Sequence, residues 1–120
     1  MNPADTAAPR LLDGPADALC TVVLAHGAGA PMDSLFMAAI ASGLAQHGWL
    51  VLRFEFAYMA RQRILELRQG PDRMPVLQEA LRQQVQLEKQ LNPNLPLFIG
   101  GKSMGGRVAS PLCQETCHPC

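Results

Sequence analysis

Leu95-Pro96-Leu97-Phe98-Ile99-Gly100-Gly101-Lys102-Ser103-Met104-Gly105-Gly106 carries an apolar run straight into a glycine-rich turn. Leu95 to Ile99 reads as a buried strand, and the turn opens a helix beyond it. Working backwards, Leu19-Cys20-Thr21-Val22-Val23-Leu24-Ala25 is a continuous apolar, β-branched run, as expected of a central parallel strand covered on both faces. Asp33 or Ser34 can cap the helix that follows, Phe36, Ile40 and Leu44 form its core stripe, and His47-Gly48 ends it. Trp49 to Phe54 is another strand. Residues 55–73 read as a long loop with one short helical turn. Pro75 suits the start of the next helix, whose apolar stripe is Leu77, Leu81 and Val85, and Asn92-Pro93-Asn94 breaks it.

The order strand, helix, strand, helix, strand, helix predicts an α/β fold: a three-stranded parallel sheet flanked by helices, joined by right-handed crossovers. Residues 1–18 form an irregular lead-in with room for one short edge strand, and 19–110 form the folded unit. Pro111 is expected to end the last helix early. Residues 111–120, rich in Cys and Pro and without apolar periodicity, read as an atypical tail.

Composition limits the function classes. Ten basic residues balance ten acidic ones, so an electrostatic grip on nucleic acid or an anionic membrane has no bulk support. Apolar residues make up 48% and charged residues 17%, enough for a buried core. No apolar run is long enough for a membrane span, and residues 1–17 lack the basic-then-apolar pattern of a signal, so cytoplasmic residence is expected. Cys20 reads as a small buried hydrophobe. Cys113, Cys117 and Cys120 do not read as a disulfide framework.

The chemistry lies in the turn. Gly101-Lys102-Ser103-Met104-Gly105 fits G-x-S-x-G, a pattern that holds a serine in a strained conformation between strand and helix with its hydroxyl clear of the sheet. Flanking glycines let strand and helix approach closely. The helix start aims free amides at developing negative charge. His26-Gly27-Ala28-Gly29-Ala30 follows the first strand, and its small residues let backbone amides reach a substrate oxygen. Ser103 is the candidate nucleophile; Met104 with Gly27 or Ala28 supply the candidate oxyanion donors.

His26-Gly27-Ala28-Gly29, Arg53-Phe54-Glu55-Phe56-Ala57-Tyr58-Met59 and Gly101 to Arg107 together resemble the α/β-hydrolase superfamily. They look most similar to its dienelactone-hydrolase-like branch, which includes the testis-expressed and NSL-complex-subunit proteins. The resemblance covers about residues 19–110, the first half of that family's domain, so the fold reads as truncated. It implies a serine hydrolase of ester or acyl-hydrolase lineage, a small-molecule ester or acyl substrate, no cofactor and no metal. It also implies a spatial strand order of second, first, third. Ala57 departs from the proline common in that stretch. The acid and the base are unknown: after Ser103 there is no Asp, only Glu115 and His118. Without a base the serine is a poor nucleophile, so this chain reads as inactive. The alternative is a non-catalytic interaction module or pseudoenzyme of the same fold, and self-association through an exposed strand edge is expected of the half-domain.

Rival motifs fail on particular residues. A phosphate-binding loop ending in Gly101-Lys102-Ser103 would need glycine at Pro96. A dinucleotide fingerprint would need glycine at Met32. The Cys113, Cys117, Cys120 spacing, with His118 nearby, reads as tail rather than a metal site. His26 is expected to shape its loop through local backbone bonds, and His47 to meet the last carbonyls of its helix. Lys102 reads as solvated or structural, Arg107 as a surface arginine, and Arg53 to Arg73 as a solvated stretch.

Overall fold

The computed structural model describes residues 8–116. Strands β1 (Arg10–Asp13), β2 (Thr21–Ala25), β3 (Leu50–Phe54) and β4 (Leu97–Gly101) make one sheet in the order β1-β3-β2-β4. The helices are α1 (Leu35–Gln46), α2 (Ala57–Leu65), α3 (Met74–Leu91) and α4 (Met104–Thr116). β2 pairs in parallel with both β3 and β4, the second-first-third order expected. The sheet differs from a purely parallel one at its margin. β1, within the lead-in, pairs antiparallel to β3, with Arg10 opposite Phe54.

The two-residue period of the strands divides the core between the two sheet faces. Val23, Ala25, Leu52 and Phe54 join the side chains of α3 and α4. Val22, Leu24 and Val51 instead meet Met37 and Ala41 of α1. β2 is buried along its whole length, as its unbroken apolar run requires. On α3, Leu77, Leu81 and Val85 are all buried.

Three expectations are corrected. Ser34 caps α1 by accepting from the Met37 amide, but Phe36 and Ile40 are 49% and 41% exposed, and the face that docks is Met37, Ala41 and half-buried Leu44. Apolar residues line α1 on several sides, so spacing alone does not select the packed one. The stretch 55–73 contains helix α2, nine residues from Ala57 to Leu65, which buries Tyr58 and Met59.

Finally, Pro111 lies inside α4, which runs on to Thr116. Met104, Val108 and Leu112 recur every four residues and are all buried, so the helix continues to seat Leu112 in the core. Burying a leucine, worth about 1.5–3 kcal/mol, opposes a proline cost of about 3 kcal/mol, and exposed Pro111 leaves the freed carbonyl near solvent. Cys117, His118 and Cys120 lie outside the described residues.

Candidate active site

β4 delivers the chain to Ser103, which adopts φ 55°, in the left-handed region that side chains other than glycine seldom occupy. Ser103 is exposed, and among the described residues no hydrogen bond engages its hydroxyl. The turn is braced on both sides. The Lys102 amide donates to the Ala25 carbonyl at 3.0 Å, and the Gly105 amide to the Lys102 carbonyl at 2.9 Å. A Cβ on Gly101 would stand 2.4 Å from the Gly105 carbonyl carbon, so β4 and α4 close to this distance only because residue 101 is glycine. Lys102 turns away from Ser103: its ammonium sits 4.5 Å from the centre of the Phe36 ring, a cation–π contact across to α1. Arg107 is exposed, in keeping with a surface role.

The loop after β2 lies against this turn. A Cβ on Gly27 would be 3.8 Å from that of Ser103 and 3.4 Å from the Lys102 carbonyl oxygen. The structure therefore brings Gly27 and Ser103 together, with Met104, buried, beginning α4 beside them.

His26 is fully buried and both ring nitrogens are engaged. Nε2 lies 3.1 Å from the Phe56 amide and accepts its proton, which leaves the ring proton on Nδ1, 2.6 Å from the Gly27 carbonyl that accepts it. Burial holds the imidazole below its ordinary pKa, so it stays neutral. Such a histidine is the loop-shaping residue expected, and it has no free nitrogen to offer Ser103.

Other side chains that hold the loop escaped the sequence reading. Tyr58, from α2, is fully buried, and its hydroxyl donates to the Ala28 carbonyl at 2.9 Å. Burial and the charge of Asp72 push its pKa up to about 12. The Glu55 carboxylate is buried, accepts the Met32 amide at 3.2 Å, and pairs with Arg63 at 2.6 Å. Arg63 also reaches Asp33 at 2.8 Å, and that guanidinium holds the Asp33 carboxyl below its usual range. Arg53, expected to be solvated, is 8% exposed and binds the Met32 carbonyl and Asp13. The signal for these was the intrusion of Arg53 and Glu55 into the otherwise apolar run from Leu50 to Phe56.

Ala28 and Gly29 open onto a cleft of about 850 Å³, lined also by Gln62, Arg63, Arg68 and Gly70. Among the described residues no cluster of His, Cys, Asp or Glu is arranged to hold a metal ion, and no helix is long and apolar enough to cross a membrane.

The sequence profile of a family described as an alpha/beta hydrolase domain matches residues 18–119. No curated protein matches significantly. Among solved structures, a dienelactone hydrolase from Anabaena variabilis superposes with a TM-score of 0.75 at 24% identity, over 90% of this chain and 53% of its own. An alpha-beta serine hydrolase homologue from Coxiella burnetii gives 0.74 at 17% identity, over 88% and 51%. A lidless serine hydrolase of the same class from Xanthomonas campestris gives 0.70 at 18%, over 92% and 57%. The shared property at these identities is the fold, and this chain spans about half the length of the structures it matches.

Proposed function

The chain belongs to the alpha/beta hydrolase domain family, and from that premise we propose that it carries the nucleophile half of a serine acyl hydrolase. The observation that carries this reading is Ser103 itself, exposed at φ 55° between two glycines that have no room for a side chain. In the reaction, the Ser103 hydroxyl oxygen bonds to the carbonyl carbon of a small-molecule ester or related acyl substrate. The carbonyl electron pair moves onto oxygen, and amides of Met104 and of Gly27 or Ala28 donate to that oxyanion. Each such donor is worth about 3 kcal/mol in the transition state. Collapse expels the alcohol and leaves an acyl-enzyme for water to cleave. The Ser103 proton must pass to a base, and His26, with both ring nitrogens engaged, is not free to be that base.

The finer lineage we assign is the dienelactone-hydrolase-like branch that includes the testis-expressed and NSL-complex-subunit proteins, with cytoplasmic residence and no role for nucleic acid, membrane, metal or cofactor. As this 120-residue chain, the protein is inactive in this reading. A second reading, a non-catalytic interaction module of the same fold, is favoured by the occupied His26 and by exposed Leu35, Phe36, Ile40 and Phe98.

An aryl fluorophosphonate distinguishes the two. Mass spectrometry should find Ser103 labelled ahead of Ser34, Ser42 and Ser110, faster with added imidazole as a surrogate base. Hydrolysis of p-nitrophenyl acetate without imidazole should equal that of Ser103→Ala. Labelling without preference for Ser103 rejects the nucleophile reading.

A further inference from the structure

We propose that Tyr58 is a positioning residue for the oxyanion loop, and that the amide it aims is that of Gly29. The inference rests on reading Ser103 as the nucleophile and adds to it a side chain and a donor.

In a planar trans peptide the C=O and N–H point in opposite directions. The Ala28 carbonyl and the Gly29 amide belong to one such plane. Tyr58, fully buried, captures that carbonyl at 2.9 Å from the core side, so the Gly29 N–H faces outward, where Ala28 and Gly29 line the cleft. The preceding plane is held in the same way: His26 Nδ1–H donates to the Gly27 carbonyl at 2.6 Å and turns the Ala28 N–H outward. Two successive N–H groups are thus fixed in the loop whose Gly27 packs against the Ser103 turn, and among the described residues neither has a backbone acceptor.

The tyrosine also reaches the other half of the oxyanion machinery. Its hydroxyl lies 3.9 Å from the sulfur of Met104 and 3.5 Å from the Gly27 carbonyl, so one buried oxygen sits between the loop and the start of α4. Its ring packs edge-on to His26, with centroids 6.0 Å apart. A freely rotating loop would have to be ordered as charge develops; a preset one is not.

The test uses phenylboronic acid. The Ser103 oxygen bonds to boron, boron passes from trigonal to tetrahedral and gains the negative charge, and the serine proton leaves to solvent. No internal base is required. Boron NMR should show a tetrahedral signal in the wild-type chain that is absent in Ser103→Ala. Tyr58→Phe keeps the ring and should weaken the adduct about fivefold or more, the loss of roughly one hydrogen bond. Its ¹⁵N order parameters at Ala28 and Gly29 should fall from rigid to flexible values while the rest of the fold is unchanged.

An unchanged adduct in Tyr58→Phe overturns the positioning role and leaves the nucleophile reading standing. No Ser103-dependent adduct in the wild type overturns the nucleophile reading; unchanged order parameters in Tyr58→Phe then overturn loop positioning as well. Tyr58 is the sole tyrosine, so fluorotyrosine labels it uniquely and covers failure of the Phe variant to fold. Its ¹⁹F resonance should move on boronate addition only when Ser103 is present, and a resonance that does not move overturns the proposal.

Discussion

The Cα of Gly105 lies so near the Ala25 carbonyl that an added Cβ would stand 2.3 Å from its oxygen. Helix α4 therefore enters directly against the end of β2, which places the Ser103 turn beside the loop from His26 to Ala30.

That closeness predicts the cost of one methyl group. Gly105→Ala must push α4 away from backbone that cannot yield, and should destabilise the fold by about 2–3 kcal/mol. Gly70→Ala, with nothing within 4 Å, should stay within about 0.5 kcal/mol of wild type. Urea unfolding of the two variants side by side checks this, and equal midpoints would contradict it.

Acid should loosen the same region through His26. Its folded pKa is depressed by burial, so the unfolded chain binds this proton more readily. The stability from neutral His26 is complete above the unfolded pKa, near 6.5, and is lost as pH falls below it towards the folded value. Thermal midpoints at pH 8 and pH 5.5 should fall further for wild type than for His26→Gln. An equal fall in both would reject the assignment.

The two arms of Arg63 should differ in worth. Asp33 is about half exposed, and removing it should cost less than about 1 kcal/mol. Arg63→Ala instead strands the buried Glu55 carboxylate and should cost about 2–3 kcal/mol, discounted because the guanidinium itself is half exposed. Denaturant midpoints of Asp33→Ala and Arg63→Ala provide the comparison.

The chain should associate with itself. Among the described residues β4 pairs with no strand but β2, so from Phe98 onward its other edge has no neighbouring strand. Phe98 on that strand is 53% exposed and stacks on Trp49 at 6.2 Å, adding an apolar surface at the same margin. Sedimentation at micromolar concentration should show oligomers or aggregates, diminished by Phe98→Lys. A stable monomer would rule the edge out as a contact.

The alternation of elements, the parallel pairing around β2 and the glycine-flanked Ser103 were legible in the sequence, because each rests on local chemistry. A strand buried on both faces needs an unbroken apolar run, and a turn with no room for Cβ needs glycine. Other features depend on which surfaces meet. Phe36 and Ile40 have the spacing of a core stripe, yet the docked face is Met37 and Ala41, since several sides of α1 are apolar. Pro111 signals a break that the burial of Leu112 overrides. Above all, Tyr58, Glu55 and Arg63 hold the loop after β2 from 23 to 30 residues away in the chain. Their hydrogen bonds exist only once α2 has packed beneath that loop, and a distance in space of that kind leaves no periodic trace in the order of residues.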